Sequence, residues 1–400
     1  MKINNLSCVV FSTLINRMGD LFFDLFVAWS ITQSQGGVMG AAAILGTSVL
    51  WRGVLSLFVG LVVDRCNKRR LLIWSNFCSM AIITLFFAFY RQGLPHFAFC
   101  LAYVLANDVN NAFYSRASML MEADLFTKNE FIRLEACLSV ANRLVSTVGS
   151  ALAGFAIATL NPALFYAVDM ASFALAAGAI ALIRHEEVIP QGQGGGLKKV
   201  VSTVGRDLVE TFKTLFSNPF LRAFMLLMVL LNLAYGEIMY LLPLQVADHF
   251  GKVELLGGLK AAYSAGAMVG LLLVAKFATR VEGLFLTSMV ANVLLFCVMA
   301  FVPPPGAFMA LFFAYNFFDC FTQPAFSYLV TGLDKDKRGK LLGGIDCVLL
   351  ATPSIGMWLL TPLFQWHLSA GFLALALLFV IGFFLVVKTG VLREVSLAEE

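Results

Sequence analysis

Hydrophobic residues run through this chain in blocks too long for strands and too evenly apolar for the amphipathic helices of a soluble core. From Leu71 to Tyr90 the sequence reads LLIWSNFCSMAIITLFFAFY without one charge, and about 20 such residues form a helix that crosses a hydrocarbon core of roughly 30 Å. The uncharged stretches 283–318 and 347–387 exceed a single crossing. Pro303-Pro304-Pro305-Gly306 and Gln365-Trp366-His367 break them, so each holds parts of two helices. Apolar runs and polar breaks together predict twelve spans: 7–32, 38–62, 71–90, 96–118, 135–159, 164–183, 220–246, 255–275, 284–302, 307–330, 341–364 and 369–387. The pattern predicts an all-α integral membrane protein with the lipid bilayer as its first partner.

An even number of crossings places both termini on one side, and the bias of Lys and Arg between alternate loops names that side. Arg65, Lys68, Arg69 and Arg70, then Arg116, Lys128 and Arg133, then Lys335, Lys337, Arg338 and Lys340 all fall in loops on the side of the termini. That side is expected to be cytoplasmic, in a bacterial-type inner membrane. The opposite loops offer little beyond Arg91, Lys252 and Lys260. The single long polar interval, 184–219, divides the chain into an N-terminal bundle of six helices (1–183), a cytoplasmic central loop, and a C-terminal bundle with a short tail (220–400). Residues 120–154 and 328–356 echo one another as acidic-basic loops entering Gly-containing helices. Such paired halves are a transporter layout, with the substrate site near the midplane between repeats.

Composition removes the soluble alternatives. The chain is 60% hydrophobic and 13% charged, against roughly 25% charged residues in soluble domains. The first apolar stretch, from Leu6 to Ile31, carries Arg17, Asp20 and Asp24 and is read as a retained helix, not a cleaved signal peptide. A formal charge of +4 does not imply nucleic acid, because the basic residues sit in short loops and form no basic face. The eight cysteines have neither CxxC pairing nor metal-ligand spacing and are read as small apolar fillers. No Walker A, zinc or nucleophile motif is present, so neither an ATP-driven pump nor an enzyme is expected, and no cofactor or metal.

Between spans two and three runs Gly60-Leu-Val-Val-Asp64-Arg65-Cys-Asn-Lys68-Arg69-Arg70. It resembles the cytoplasmic-loop signature of the major facilitator superfamily, GxxxDRxxRR. The resemblance implies the major facilitator fold, twelve transmembrane helices in two six-helix bundles. It also implies a gating role for the loop: the Gly permits close helix packing, and the Asp meets a helix N-terminus and neighbouring Arg in one conformation of the bundles. A plain positive-inside stop signal is the simpler reading of the same charges. In the second half, Lys276 to Glu282 keeps positive charge without the motif. Asn16-Arg17-x-Gly19-Asp20, Tyr166-Ala-Val-Asp169-x-x-Ser172-Phe173, Asn218-Pro219-x-Leu221-Arg222 and Arg338-Gly339-Lys340 resemble the macrolide-efflux and enterobactin-exporter branch. In span five, Arg143 and Gly149-Ser-Ala-Leu-Ala-Gly154 are similar to the antiporter motif GPxxGG, with Ser150 for Pro and Ala153 for Gly. Span four has Asn107, Asp108, Asn110 and Asn111 where the family usually has a membrane Arg. Strict antiport is therefore not carried over.

Ionisable groups near a helix centre cost roughly 2.5–3.5 kcal/mol on insertion scales, so they face a cavity or one another. Arg17, Asp20 and Asp24 share one face of span one by their i, i+3, i+7 spacing; Arg52, Asp108, Arg143, Glu237 and Asp319 also lie inside spans. One reading makes Arg17 with Asp20, and Arg52 or Arg143 with Asp108, permanent packing pairs. The other makes Asp24, Asp20, Asp108, Glu237 and Asp319 proton-coupling candidates, Asp24 first. Phe23, Phe26, Tyr235, Met239, Tyr240, Phe318 and Phe321, with Asn107, are candidates for a cavity wall around an amphipathic substrate. With 38 Phe in the chain, core or lipid-facing filler is the competing reading for the apolar ones.

The expected function is a monomeric secondary transporter exporting a drug-like or siderophore-like small molecule by alternating access, driven by protons. Its rivals are uptake of a metabolite or siderophore, a non-transporting membrane scaffold, and a lipid-modifying membrane enzyme. The topology has a direct check. In a background without the eight native cysteines, Asn67→Cys is expected to resist an impermeant thiol reagent in intact cells and to react after permeabilisation. Labelling from outside would invert the orientation.

Overall fold

A backbone that crosses hydrocarbon must satisfy its N–H and C=O groups within itself, and the described residues do so with helices alone. The computed structural model describes residues 2–33, 36–63, 66–91, 93, 97–183, 216–217, 219–277, 281–325, 338–390 and 392. The first half forms α1 (Lys2–Thr32), α2 (Gly37–Val63), α3 (Lys68–Tyr90), α4 (Phe97–Leu125), α5 (Lys128–Thr159) and α6 (Pro162–Leu182). In the second half, α7 begins as Pro219–Gly236, passes through a π turn at Glu237–Leu241 and continues as Leu242–His249. It is followed by α8 (Val253–Phe277), α9 (Val281–Met299), α10 (Pro305–Asp319, passing through a 3₁₀ turn at Cys320–Thr322 into helical residues 323–325), α11 (Arg338–Trp366) and α12 (Leu368–Thr389). The expected twelve-helix all-α membrane architecture is thus present.

Local chemistry sets the helix ends. Asn67 Oδ1 accepts the Arg70 N–H at 2.8 Å to start α3. Asn161 Oδ1 accepts the Ala163 N–H at 2.9 Å, with Pro162 in the first turn of α6. Both satisfy donors that a helix start leaves open. At α5, the Glu130 carboxylate accepts from the Thr127 N–H (2.9 Å) and hydroxyl (2.8 Å). Gly390, at φ 61°, ends α12 in the left-handed region, where a side chain would be strained. The π turn in α7 precedes Pro243, which has no N–H and crowds the carbonyl four residues back. There the Leu242 N–H bonds the Glu237 carbonyl, five residues back.

Nine helical segments among the described residues are long and apolar enough to cross a membrane on their own. Among the remaining described segments, α4 carries the Asn107-Asp108 and Asn110-Asn111 pairs, which lower its hydropathy. Large apolar side chains stand on the surface, and some polar ones lie within the apolar core. Trp74 and Leu272 are 67% and 73% exposed, while Ser288, Asn292, Ser354 and Thr361 are fully buried. Phe301 and Trp366, highly exposed beside the turns after α9 and α11, suit a bilayer interface.

The helices extend beyond the apolar runs that announce them. Lys68, Arg69 and Arg70 form the first turn of α3, Arg116 lies within α4, Lys128 and Arg133 within α5, and Arg338 and Lys340 within α11; the sequence had placed all of these in loops. Lys260 is a sharper correction: it sits two turns inside α8 and is half-buried. Charged residues on terminal turns depress hydropathy without breaking helical hydrogen bonding, so the polar pattern marks the membrane edge and not the helix end.

Packing divides the chain into two compact units, Met1–Gln191 with Pro243–Ala261, and Gly192–Leu242 with Ala262–Glu400. In the first, α1 packs against α6, α5 and α2, while α4 packs against α2 and α3. One core joins Val9, Val63, Leu72, Ala117, Met121 and Ile180. In the second, α11 and α12 flank α7, and α9 packs against α12 and α10. The α7–α11 crossing is set by Gly236 and Gly356: a Cβ on the first would collide with the Pro353 backbone, and on the second with that of Leu233. Small residues permit such approach where lipid gives no hydrophobic drive between helices. Gly356→Ala is therefore expected to cost about 1–3 kcal/mol by overpacking and to lower the thermal midpoint of the detergent-solubilised protein. Gly178→Ala, where an added Cβ meets nothing within 4 Å, should leave it unchanged. Equal midpoints would show the crossing to be loose.

Candidate functional site

Charge is concentrated on the inner side of α1. Arg17, Asp20 and Asp24 lie on its shared face; Arg17 and Asp24 are exposed despite their mid-helix positions, and Asp20 is half-buried. Arg17, Lys260 and Arg52 are the cations in the field of Asp24. Arg52 Nε on α2 pairs with Asp108 Oδ1 on α4 at 3.6 Å, with 43% and 11% of their side chains exposed. Of the two arginines considered for Asp108, it is Arg52 that makes the pair. Arg143 lies exposed on α5.

Two members of this group had not been singled out as charge sites. Asp169 on α6 is 1% exposed. Its carboxylate accepts from Ser172 Oγ at 3.3 Å, and a Cβ on Gly19 would lie only 2.6 Å from its Oδ1, so the glycine makes room for it. Asp20 and Asp24 are the charged groups acting on Asp169. Lys260 reaches the cluster through helix contacts that can be traced: Leu21 fills the place of a Cβ on Gly149, and a Cβ on Gly154 would lie 2.7 Å from Gly257 Cα. One helical turn past Gly257, on the same face, Lys260 enters the field of Asp24 and Arg17. The rule that finds Asp24, an ionisable group inside an apolar span, finds both residues as well. Among the described residues the cluster therefore sets Asp20, Asp24, Asp108 and Asp169 against Arg17, Arg52 and Lys260.

The aromatic candidates of the first unit sit in its packing core. Phe23 and Phe26 are 1% and 3% exposed. Phe23 meets Phe86 edge-on at 6.0 Å, and Phe26 stacks on Phe165 at 5.5 Å. Asn107 is half-buried on α4. Nearby Asn110, not itself a site candidate, ties α4 to α3, donating to Ser79 Oγ at 2.6 Å and accepting from Ser75 Oγ at 2.8 Å.

Part of the loop motif can be followed. Lys68 Nζ pairs with Asp124 Oδ2 at 3.2 Å, and the Arg69 guanidinium donates to the Ile180 and Ala181 carbonyls at the end of α6. Two helix ends are thereby tied to the start of α3, with a cation on the carbonyl end of α6 as its dipole favours. Gly60 lies in the last turns of α2, and Arg70 in the first turn of α3. Asp64 and Arg65 lie outside the described residues.

In the second unit the candidates separate. Glu237 is fully buried in the π turn of α7 and accepts from Thr361 Oγ1 at 2.9 Å. Asp319 and Tyr235 line a cavity of about 300 Å³ with Asn232, Tyr315, Gln323 and Phe379. Met239 lies outside that lining, where its sulfur accepts from the Tyr235 hydroxyl; Tyr240 is half-buried on the same turn. Phe318 packs with Phe317 and Phe321 against Ala267 and Val274. Tyr315, which donates to Asp319 Oδ1 at 3.4 Å, was missed because nothing in its local sequence sets it apart from the surrounding aromatics.

Residues 9–345 match the Major Facilitator Superfamily. The chain is 25% identical over 416 residues to the multidrug efflux pump Tap of Mycobacterium bovis, covering 98% of this chain and 95% of that protein. It is 24% identical to the pump of the same name from Mycolicibacterium fortuitum, covering 98% and 97%. Among solved structures, a proton-dependent oligopeptide transporter superposes with a TM-score of 0.72 at 12% identity, covering 99% of this chain and all of that one. The nucleoside transporter NupG superposes at 0.66 and 12%, covering 97% and 98%. At such identities these two likenesses concern the fold alone.

The Arg52–Asp108 pair yields a stability prediction. Removing one partner leaves the other uncompensated, and the exposure of Arg52 reduces the cost to about 1–2 kcal/mol. Arg52→Gln and Asp108→Asn should each lower the thermal midpoint, and the double variant should recover part of the loss. Strict additivity would deny the pair any coupling.

Proposed function

The chain belongs to the Major Facilitator Superfamily, and from that premise we propose that it exports small amphipathic, drug-like molecules by alternating access, driven by the proton gradient. The observation that carries the reading is the charge cluster on the inner face of α1. Four carboxylates and three cations in one helical unit are costly to bury, and the cluster holds more acid than base. A scaffold has no use for such an arrangement. The name of the mycobacterial relatives supports efflux of drug-like compounds over uptake. The reading places both termini and the segment 184–219 in the cytoplasm, as the positive-inside bias requires, and treats the protein as a monomer with halves 1–183 and 220–400.

In this reading Asp24 is the coupling carboxylate. It is exposed, lies on the face shared with Asp20, and is acted on by cations from three helices, Arg17, Arg52 and Lys260. Taking up a proton there changes its interaction with all three, including Lys260, which the second half contributes to the first unit. The loop from Gly60 to Arg70 biases the access state from the other end of α2. A competing account keeps Asp24 permanently ionised between these cations, with no part in proton traffic.

Asp24→Asn separates the two accounts. In proteoliposomes with an imposed pH gradient, the variant is expected to lose uphill, gradient-driven efflux while retaining substrate binding and part of downhill exchange. Unchanged gradient-driven efflux would remove Asp24 from coupling and leave Asp20, Asp108, Glu237 and Asp319 as the remaining candidates.

A further inference from the structure

Among the described residues, the cavity of the second unit differs from the cluster of the first in one respect: its carboxylate, Asp319, has no basic partner. Asp319 ends α10, just before the 3₁₀ turn, and its side chain opens on a cavity of about 300 Å³. Tyr315 donates a hydrogen bond to it at 3.4 Å. Among the described residues no Lys or Arg pairs with or acts on this carboxylate; the ionisable groups in its field are the hydroxyls of Tyr315 and Tyr263.

The walls are aromatic and held in place. Tyr315 is 2% exposed; its ring stacks on Tyr263 at 6.2 Å and meets Phe379 edge-on at 6.4 Å. Asn316 fixes the spacing of α8 and α10 by donating to the Tyr263 carbonyl at 2.8 Å. Tyr235 and Phe379 complete the wall, while Asn232 and Gln323 supply amides. The Asn232 amide N–H donates to the Met228 carbonyl at 2.9 Å. Ring faces are electron-rich and attract cations, and a carboxylate away from bulk water calls for an opposite charge. The volume lies at the lower end of ligand pockets, suited to the charged head of a larger molecule.

We propose that this cavity is a subsite for organic cations, in which Asp319 takes the cationic nitrogen or phosphonium and the rings of Tyr235, Tyr315 and Phe379 take its apolar substituents. The assignment rests on the export reading for its physiological meaning and names the substrate class of that export. Its binding test does not need transport to occur.

The test is equilibrium binding of radiolabelled tetraphenylphosphonium to the purified full-length protein, with efflux of tetraphenylphosphonium and of uncharged chloramphenicol followed in parallel. Wild type is expected to bind the cation. Asp319→Asn should weaken binding by roughly tenfold or more, the loss of a desolvated charge contact. Asp319→Glu should restore most of it, and Phe379→Leu should weaken it severalfold. Thermal midpoints matched to wild type, together with the Glu rescue, exclude misfolding as the cause. Absence of cation binding by wild type, or equal binding by Asp319→Asn, overturns the subsite. Cation binding unchanged in Asp319→Asn together with lost gradient-driven efflux would overturn it in favour of a proton site. If wild type binds the cation through Asp319 but exports neither probe, the export reading fails and the subsite stands.

Discussion

Hydrocarbon offers no partner to a polar group, and the whole structure follows from that lack. Backbone groups find partners along each helix, so the described residues hold helices and no strands. Where a helix cannot close its own ladder, a local device takes over: the Asn67 and Asn161 caps, and the five-residue spacing before Pro243. Side chains obey the same constraint. Apolar side chains can face outward and polar ones seek partners inside, which is why Trp74 and Leu272 are exposed while Asn292 and Thr361 are fully buried.

A membrane interior cannot bring helices together by hydrophobic exclusion, so shape does it. The glycine contacts decide where helices cross: Gly236 and Gly356 fix α7 on α11, and Gly154 with Gly257 bring α8 against α5. The second crossing also has an electrostatic consequence. It is the approach of two backbones that carries Lys260, one turn further along α8, into the field of Asp24. A larger residue at either glycine would separate the helices, and the charge balance would change with no charged residue altered.

The twelve helices were legible in the sequence because uninterrupted apolar length is itself the requirement for crossing. Their ends were less so: Lys68, Lys128 and Arg338 continue helices that hydropathy had closed. Arg17, Asp20 and Asp24 could be grouped because helical spacing puts them on one face. The choice between Arg52 and Arg143 as the partner of Asp108 required three helices to be placed in space, and the structure selects Arg52. Aromatic residues were the least legible. Phe23 and Phe26 pack against other rings within the first unit, and Tyr315, in an unremarkable run of Phe and Tyr, is the one that touches Asp319. Composition cannot distinguish a wall from a core when so many helices carry Phe.

The two units treat buried acid differently, and the proposed division of labour follows from this. In the first, each change of charge on one carboxylate is felt by several opposite charges already present, so adding a proton redistributes pairings among helices. In the second, among the described residues, Asp319 meets Tyr315 and no Lys or Arg, so on the proposed reading a change there comes from a ligand. A ligand shifts a conformational equilibrium only by its differential affinity for the two states. On the proposed reading the first network answers to the proton, because protonating one carboxylate shifts a balance among charges already in place. An uncompensated carboxylate in an aromatic cavity responds to a cation large enough to cover the rings. On that reading drive and cargo act on different carboxylates, and neither has to displace the other for transport to proceed.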